Sequence, residues 1–187
     1  LGEAIGLINL GYYYLSLGHF ETGHNLLERA LKISHKLGAQ SMIAYSLLNL
    51  GLAKWRLGQP QEACHVLERS LEILQALGDQ AGLAWRQFYL GLAHEAANEP
   101  SDAVKYFNAA WDAFQMLDWT SQIVEAQAGL VRFALQSADE AEAEKLAMQI
   151  IRYLDQEGPQ GLELPILVYL TCAKVFQASG DTSLFKY

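Results

Sequence analysis

Histidine and cysteine are the side chains that most often bind metals or act as nucleophiles, and the sequence contains five and two of them. The histidines form no HExxH motif and no pair four residues apart, the spacing that puts two ligands on one helix face. They are His19, His24, His35, His65 and His94. Cys64 and Cys172 lie far apart without a CxxC motif, which is typical of a reducing compartment. We therefore expect no metal site and no cofactor.

Clustered acidic residues can also carry catalytic chemistry, and four lie together at Asp139, Glu140, Glu142 and Glu144. At the first turn of a helix, such a cluster is better explained by attraction to the positive end of the helix dipole. The sequence has no GxxxxGKS, GxxxxGKT or GxGxxG phosphate-binding motif and no GxSxG nucleophile motif. We expect that the protein is not an enzyme.

The composition excludes several classes of partner. The 187 residues are 51% hydrophobic and 18% charged, with a formal net charge of −8, which predicts a folded, acidic protein. Without a Lys/Arg cluster, nucleic acid is an unfavourable partner, and no apolar run is long enough to predict a membrane-spanning helix. We expect a cytoplasmic protein. Because the chain opens at Leu1 without Met, we also expect it to be a fragment of a larger protein.

The sequence repeats itself every 40 residues, and a period of this length decides the architecture. Segments 26–31 and 66–71 read LLERAL and VLERSL. One column of the repeat, expected to lie in the core, is leucine five times: Leu10, Leu50, Leu90, Leu130 and Leu170. The glycines that follow the first three cost about 1 kcal/mol each inside a helix. We interpret Gly11, Gly51 and Gly91 as positions where a partner helix packs against the backbone.

Each repeat is predicted to form two helices. The first helix is apolar on two faces, which predicts that it packs between neighbours. The second has one polar face, and in the second repeat it is expected to run from about Pro60 to Leu77. Proline is typical of a first helical turn, as at Pro60 and Pro100, and glycine is typical of a helix end, as at Gly38 and Gly78.

These features resemble the tetratricopeptide repeat (TPR). The first helix has a Leu-Gly pair, Leu10 and Gly11, followed three residues later by the aromatic Tyr14. A glycine, Gly18, follows that helix. The second helix has a small residue and then a large one, as at Ala63 and Leu67. The resemblance implies an all-α fold, a right-handed α-α superhelix of antiparallel helix hairpins. The single TPR-like domain would cover residues 1–187, in units 1–40, 41–80, 81–120, 121–160 and a partial fifth, 161–187.

The units depart from the usual pattern in length and in sequence. At 40 residues they exceed the usual length of about 34, and such longer units are similar to those in the C-terminal arrays of bacterial signal-transduction ATPases and transcriptional activators. Lys54 and His94 stand where the family has an aromatic residue. Residues 167–172, followed by Gly180 and Asp181, resemble the last unit of such arrays.

The resemblance also implies a binding surface, because the first helices of TPR arrays line a concave groove. It places ten apolar residues on or near that surface: Ile5, Ile8, Tyr12, Tyr45, Leu48, Leu52, Trp55, Trp85, Phe88 and Leu92. Three arginines would lie nearest to it and could orient a partner's carboxylates: Arg56, Arg86 and Arg132. The alternative stays open at this point, since an aromatic stripe at helical spacing also fits a buried core.

We therefore expect a noncatalytic protein–protein interaction module that binds a peptide, a helix or a domain in this groove. Its setting would be the sensing or regulatory arm of a bacterial signalling or transcription-regulating protein. Two alternatives remain: a small-molecule effector-binding domain, if the groove closes into a pocket, and a self-association module that forms a homodimer.

Overall fold

The computed structural model describes residues 1–179, and within that range every regular element is an α-helix. Ten helices follow one another along these 179 residues. In order, α1 to α10 are Gly2–Ser16, Phe20–Leu37, Gln40–Arg56, Pro60–Glu68, Leu71–Leu77, Gln80–Ala96, Pro100–Met116, Thr120–Gln136, Glu140–Glu157 and Pro165–Ser179.

The turns between helices repeat as regularly as the helices do. A residue with a positive φ angle occurs every 20 residues from position 18 to position 158, and five of these eight residues are glycine. The others are Asn98, Asp118 and Ala138, with φ of 60°, 56° and 56°. A left-handed residue after a helix lets the chain reverse and satisfies the last carbonyl groups. The hairpin geometry is therefore maintained even where glycine is absent.

In the first two hairpins, the second helix packs directly against a glycine of the first. A Cβ atom added to Gly11 would lie 2.7 Å from Leu27 Cγ, and one added to Gly51 would overlap Leu67. Leu27 and Leu67 are fully buried, so neither can easily move away. The predicted role of Gly11 and Gly51 in close helix packing is confirmed.

The leucine column is buried only in part. Leu50, Leu90 and Leu130 are buried, whereas Leu10 and Leu170 are exposed, so the expectation of a fully buried column is wrong for these two. The difference between Leu10 and Leu50 follows from the neighbours of their helices. α3 contacts α1 and α2 as well as α4, α5 and α6, whereas α1 packs mainly against α2 and α3.

The second helix of the second repeat is interrupted, not continuous as expected. α4 and α5 are separated by Arg69 and Ser70. The Leu67 carbonyl oxygen accepts hydrogen bonds from Ser70 Oγ at 2.7 Å and from Arg86 Nε at 3.0 Å. In a continuous helix this oxygen would accept from the backbone N–H four residues on. Arg86, which is buried on α6, thus binds a carbonyl group at the break and stabilises it.

The chain divides into two compact units, Leu1–Ala103 and Val104–Tyr187. The first unit contains α1 to α6, and in the second α8, α9 and α10 contact one another. The single domain over residues 1–187 stays a prediction, and Gly180 and Asp181 lie outside the described residues. No described helix combines the length and apolar character needed to cross a membrane.

Candidate functional site

Three of the predicted groove residues form a row on neighbouring first helices of the first unit. Ile5, Tyr45 and Trp85 occupy the same position of the repeat, on α1, α3 and α6, and α3 contacts both of the other helices. Ile5 is 44% exposed, Tyr45 is 37% exposed and Trp85 is half-buried. We call these three residues the position-5 row. In the fourth repeat the row does not continue, because Glu125 is buried there and accepts a hydrogen bond from the Leu164 N–H.

Tyr45 is held in place by the start of the next first helix. Burial, a hydrogen bond to the Asp79 side chain and the negative charge of Asp79 raise the pKa of Tyr45 to about 12. Asp79 Oδ1 also accepts a hydrogen bond from the Gly82 N–H at 2.8 Å, which caps α6. One carboxylate therefore both caps a helix and orients the exposed phenol ring.

Trp85 is held by aromatic packing. Its ring stacks on Tyr89 with centroids 5.4 Å apart and meets Phe88 edge-on at 5.9 Å. Tyr89 and Phe88 are both buried. Because its neighbours fix its orientation, the half-buried indole would lose little side-chain entropy on contact with a partner.

Five predicted groove residues lie in the core, and their placement at the groove surface is corrected here. They are Ile8, Leu48, Leu52, Phe88 and Leu92, each at most 8% exposed. A first helix that is apolar on two faces is covered by helices on both sides, so most of its large apolar residues point inward. The sequence pattern shows that a first helix has two apolar faces, but it does not show which residues point into the core and which towards the groove.

Apart from Arg86, the remaining predicted site residues are half-buried, and two of the arginines contact aromatic rings of the chain itself. The Arg56 guanidinium lies 4.9 Å from the centre of the Trp55 ring. Arg132 lies 5.7 Å from the Phe107 ring centre. Arg86 is buried, so its expected place beside the groove is corrected. Tyr12 is half-buried on α1.

One cluster was missed by sequence reasoning. His94 at the end of α6, Glu99 just before α7 and Asp102 in the first turn of α7 place one ligand atom each within 4.8 Å of one another. A histidine motif in the sequence pairs ligands on one helix, whereas these three residues come from a helix end, a turn and the next helix start. Alignment of the third repeat with the second would have pointed to them, because His94 aligns with Lys54.

A cavity of about 540 Å³, open to solvent, lies beside the break between α4 and α5. Its lining combines apolar and charged side chains: His35, Ile43, Leu47, His65, Glu68, Arg69, Leu71, Glu72 and Ile73. The cavity thus borders the break at which Arg86 donates a hydrogen bond to the Leu67 carbonyl oxygen.

The cysteines are poor nucleophiles at neutral pH. Burial, together with the negative charges of Glu99, Glu68 and Asp102, raises the pKa of the Cys64 thiol to about 11. Burial likewise raises the pKa of Cys172 to about 11. A catalytic cysteine requires a lowered thiol pKa.

Comparison with known proteins identifies the repeat type. A family model described as "Tetratricopeptide repeat" matches residues 42–116, which cover nearly all of the second repeat and most of the third. Residues 42–116 are therefore similar to tetratricopeptide repeats, and we refer to the chain as the TPR-like array. No curated protein sequence matches this TPR-like array.

Solved structures with the same fold resemble the TPR-like array over nearly its whole length. A Rap protein complexed with Competence and Sporulation Factor aligns with a TM-score of 0.78 at 15% identity, covering 96% of this chain. BtubC from P. vanneervenii aligns with a TM-score of 0.72 at 18% identity, over 93% of this chain and 72% of its own. A Podosopora anserina kinesin light chain protein with nearly identical TPR-like repeats gives 0.69 at 20% identity, over 95% and 87%.

These likenesses confirm the predicted all-α fold class of TPR-like hairpins. The array spans 54% of the Rap chain, about half its length. Solenoid arrays of this kind offer extended surfaces for binding other molecules.

Proposed function

We propose that this TPR-like array is a noncatalytic protein-interaction module, and that the position-5 row binds apolar side chains of a protein or peptide partner. The observation that carries the proposal is the exposure of Ile5 and Tyr45 on helices whose other predicted groove residues are buried or half-buried. Exposed aromatic residues with fixed orientation are typical anchors of protein interfaces.

The spacing of the row supports a helical partner. Packed helices lie about 8–10 Å apart. Because α3 contacts both α1 and α6, we expect neighbouring row residues to be separated by a similar distance. On an α-helix, residues seven positions apart share a face and are about 10.5 Å apart along the axis. An amphipathic helix with an apolar residue at every seventh position would therefore meet Ile5, Tyr45 and Trp85 in turn.

The finer role we propose is the sensing or regulatory arm of a bacterial signalling or transcription-regulating protein, in the cytoplasm. Two observations support it: the resemblance of the 40-residue units to arrays in such proteins, and the structural likeness to the Rap protein complexed with Competence and Sporulation Factor. Electrostatics agree with a protein partner, since the net charge of −8 disfavours nucleic acid.

A randomised peptide library displayed on phage tests the interaction directly. Peptides selected on the wild-type chain should bind the Tyr45→Ala variant at least about tenfold more weakly, because an anchor residue is lost. Gln61→Ala, an exposed change on α4, is the matched control and should leave affinity unchanged. Failure to select any peptide, or selected peptides that bind Tyr45→Ala as tightly as wild type, would contradict the proposal.

A small-molecule effector site is a second candidate, and the cavity beside the α4–α5 break favours it. Its volume of about 540 Å³ falls in the range of ligand pockets. Self-association is a third candidate, favoured by the exposed Leu10 and Tyr13 on α1 and the exposed Leu17 that follows it. Sedimentation at several protein concentrations separates a homodimer from a monomer. Thermal-shift screening tests the effector site, with Glu72→Trp, a change at an exposed lining residue, as the blocked-cavity control.

A further inference from the structure

The turn between α6 and α7 brings a histidine and two carboxylates together. His94 Nδ1 and Glu99 Oε2 are 2.6 Å apart, and Asp102 supplies a carboxylate oxygen within 4.8 Å of both. The imidazole is largely shielded, with its side chain 13% exposed, while Glu99 is more open to solvent. Imidazole nitrogen and carboxylate oxygen are the donor types that bind divalent transition metals.

The preceding repeat shows that a cation fits at this place in the hairpin. Forty residues earlier, the equivalent positions are Lys54, Gln59 and Glu62. The Lys54 ammonium group donates hydrogen bonds to Gln59 Oε1 and to Glu62 Oε2, both at 2.9 Å. The protein thus already holds one positive charge between the end of a first helix and the start of its second helix.

Three substitutions between the repeats convert this arrangement from an ammonium site into a ligand set. Lysine becomes His94, which offers a nitrogen lone pair instead of a fixed charge. Gln59 is replaced by Glu99, which adds a second carboxylate. The carboxylate of Glu62 is retained in Asp102. The charge of the three side chains changes from 0 with Lys54 and Glu62 to −2 with a neutral histidine, so a divalent cation would restore neutrality.

We propose that His94, Glu99 and Asp102 bind a divalent first-row transition metal ion, with Zn²⁺ the best match to this donor set. The three side chains would supply one nitrogen and two oxygen ligands at about 2.0–2.2 Å, and water would complete the coordination shell. Mg²⁺ and Ca²⁺ fit less well, because both prefer a shell made only of oxygen. The ion would clamp the end of α6 to the first turn of α7.

Zn²⁺ titration of the tag-free, chelator-treated chain against a chromophoric competitor tests the site. We expect one Zn²⁺ per chain, and we expect excess Mg²⁺ not to displace it. The double variant His94→Lys with Glu99→Gln restores two of the three side chains of the preceding repeat and keeps the carboxylate of Asp102. It should bind Zn²⁺ at least about tenfold more weakly without loss of helical structure. His65→Ala removes an exposed histidine elsewhere and should bind as wild type does.

Asp102→Asn provides a second test on an exposed residue, so the result does not depend on one variant folding. It too should weaken Zn²⁺ binding, and circular dichroism should match wild type. A wild-type chain that binds no Zn²⁺ would overturn the proposal. So would variants at His94 and Asp102 that retain wild-type affinity, or a His65→Ala variant that loses it.

Discussion

At the scale of single residues, the glycines inside helices show where close packing depends on the absence of a Cβ atom. Gly51 lies where a Cβ atom would overlap Leu67, whereas Gly6, also inside a first helix, has no heavy atom within 4 Å of the Cβ position. The same residue type therefore has opposite consequences at two places, and only the structure distinguishes them.

We predict that Gly51→Ala lowers the free energy of unfolding. The methyl group gains about 1 kcal/mol of helix propensity but costs about 1–3 kcal/mol by overpacking against a buried leucine. Gly6→Ala is the matched control and should stabilise the chain by about 0.5–1 kcal/mol, because its site is open. Urea unfolding of both variants measures this, and a Gly51→Ala chain more stable than wild type would refute the close-packing account.

We predict that Cys64 reacts slowly with alkylating reagents, although it is only half-buried. With its pKa raised from 9.0 to about 11, its thiolate fraction near neutral pH is about 100-fold below that of an ordinary cysteine. The alkylation rate in a Cys172→Ser background with chelator present, relative to a small peptide thiol, measures this. Glu99→Gln removes one of the charges that raise the pKa and should speed the reaction, while wild-type Cys64 reacting as fast as the peptide would contradict the assignment.

At the scale of elements, the positions of the helices could be predicted from the sequence, because proline starts and glycine ends are local signals. The break between α4 and α5 could not. It depends on Arg86, 19 residues after the Leu67 carbonyl that it contacts, and no local pattern near Ser70 reports that contact. The left-handed conformation of Ala138 could not be predicted from the sequence either, because alanine is not typical of that conformation.

We predict that Ala138→Gly stabilises the chain. Its φ of 56° is a left-handed conformation that costs a residue with a Cβ atom about 1–2 kcal/mol and costs glycine almost nothing. Ala141→Gly, on the exposed face of the next helix, should instead destabilise by about 1 kcal/mol. Thermal melting of the pair gives the comparison, and a lower melting temperature for Ala138→Gly would show that the turn is not strained.

We predict that Arg86→Ala destabilises the first unit by about 1.5–3 kcal/mol, the typical loss when a hydrogen bond involving a charged group is removed. Arg69→Ala changes an exposed arginine at the same break and should stay within about 0.5 kcal/mol of wild type. Urea unfolding separates the two. Equal effects of both substitutions would mean that the contact between Arg86 and Leu67 does not stabilise the break.

At the scale of the whole molecule, the repeat could be predicted from sequence because 40-residue periodicity survives substitution at single positions. The candidate site was predicted less well, since burial around a first helix depends on how the helix is rotated between its neighbours. A small rotation of a first helix about its own axis would bury an exposed face and expose a buried one. This is why Ile5 and Tyr45 are exposed while Leu48 and Leu52 are buried.

Hydroxyl-radical footprinting, with a phage-selected peptide as the probe, tests the central claim that the position-5 row is the binding surface. In the free chain, Ile5 and Tyr45 should be oxidised faster than the buried Leu48. Adding the peptide should protect Ile5, Tyr45 and Trp85, while the exposed Tyr13 and Met116 keep their rates. Unchanged oxidation of the row with the peptide bound, or protection confined to Tyr13 or Met116, would contradict the account.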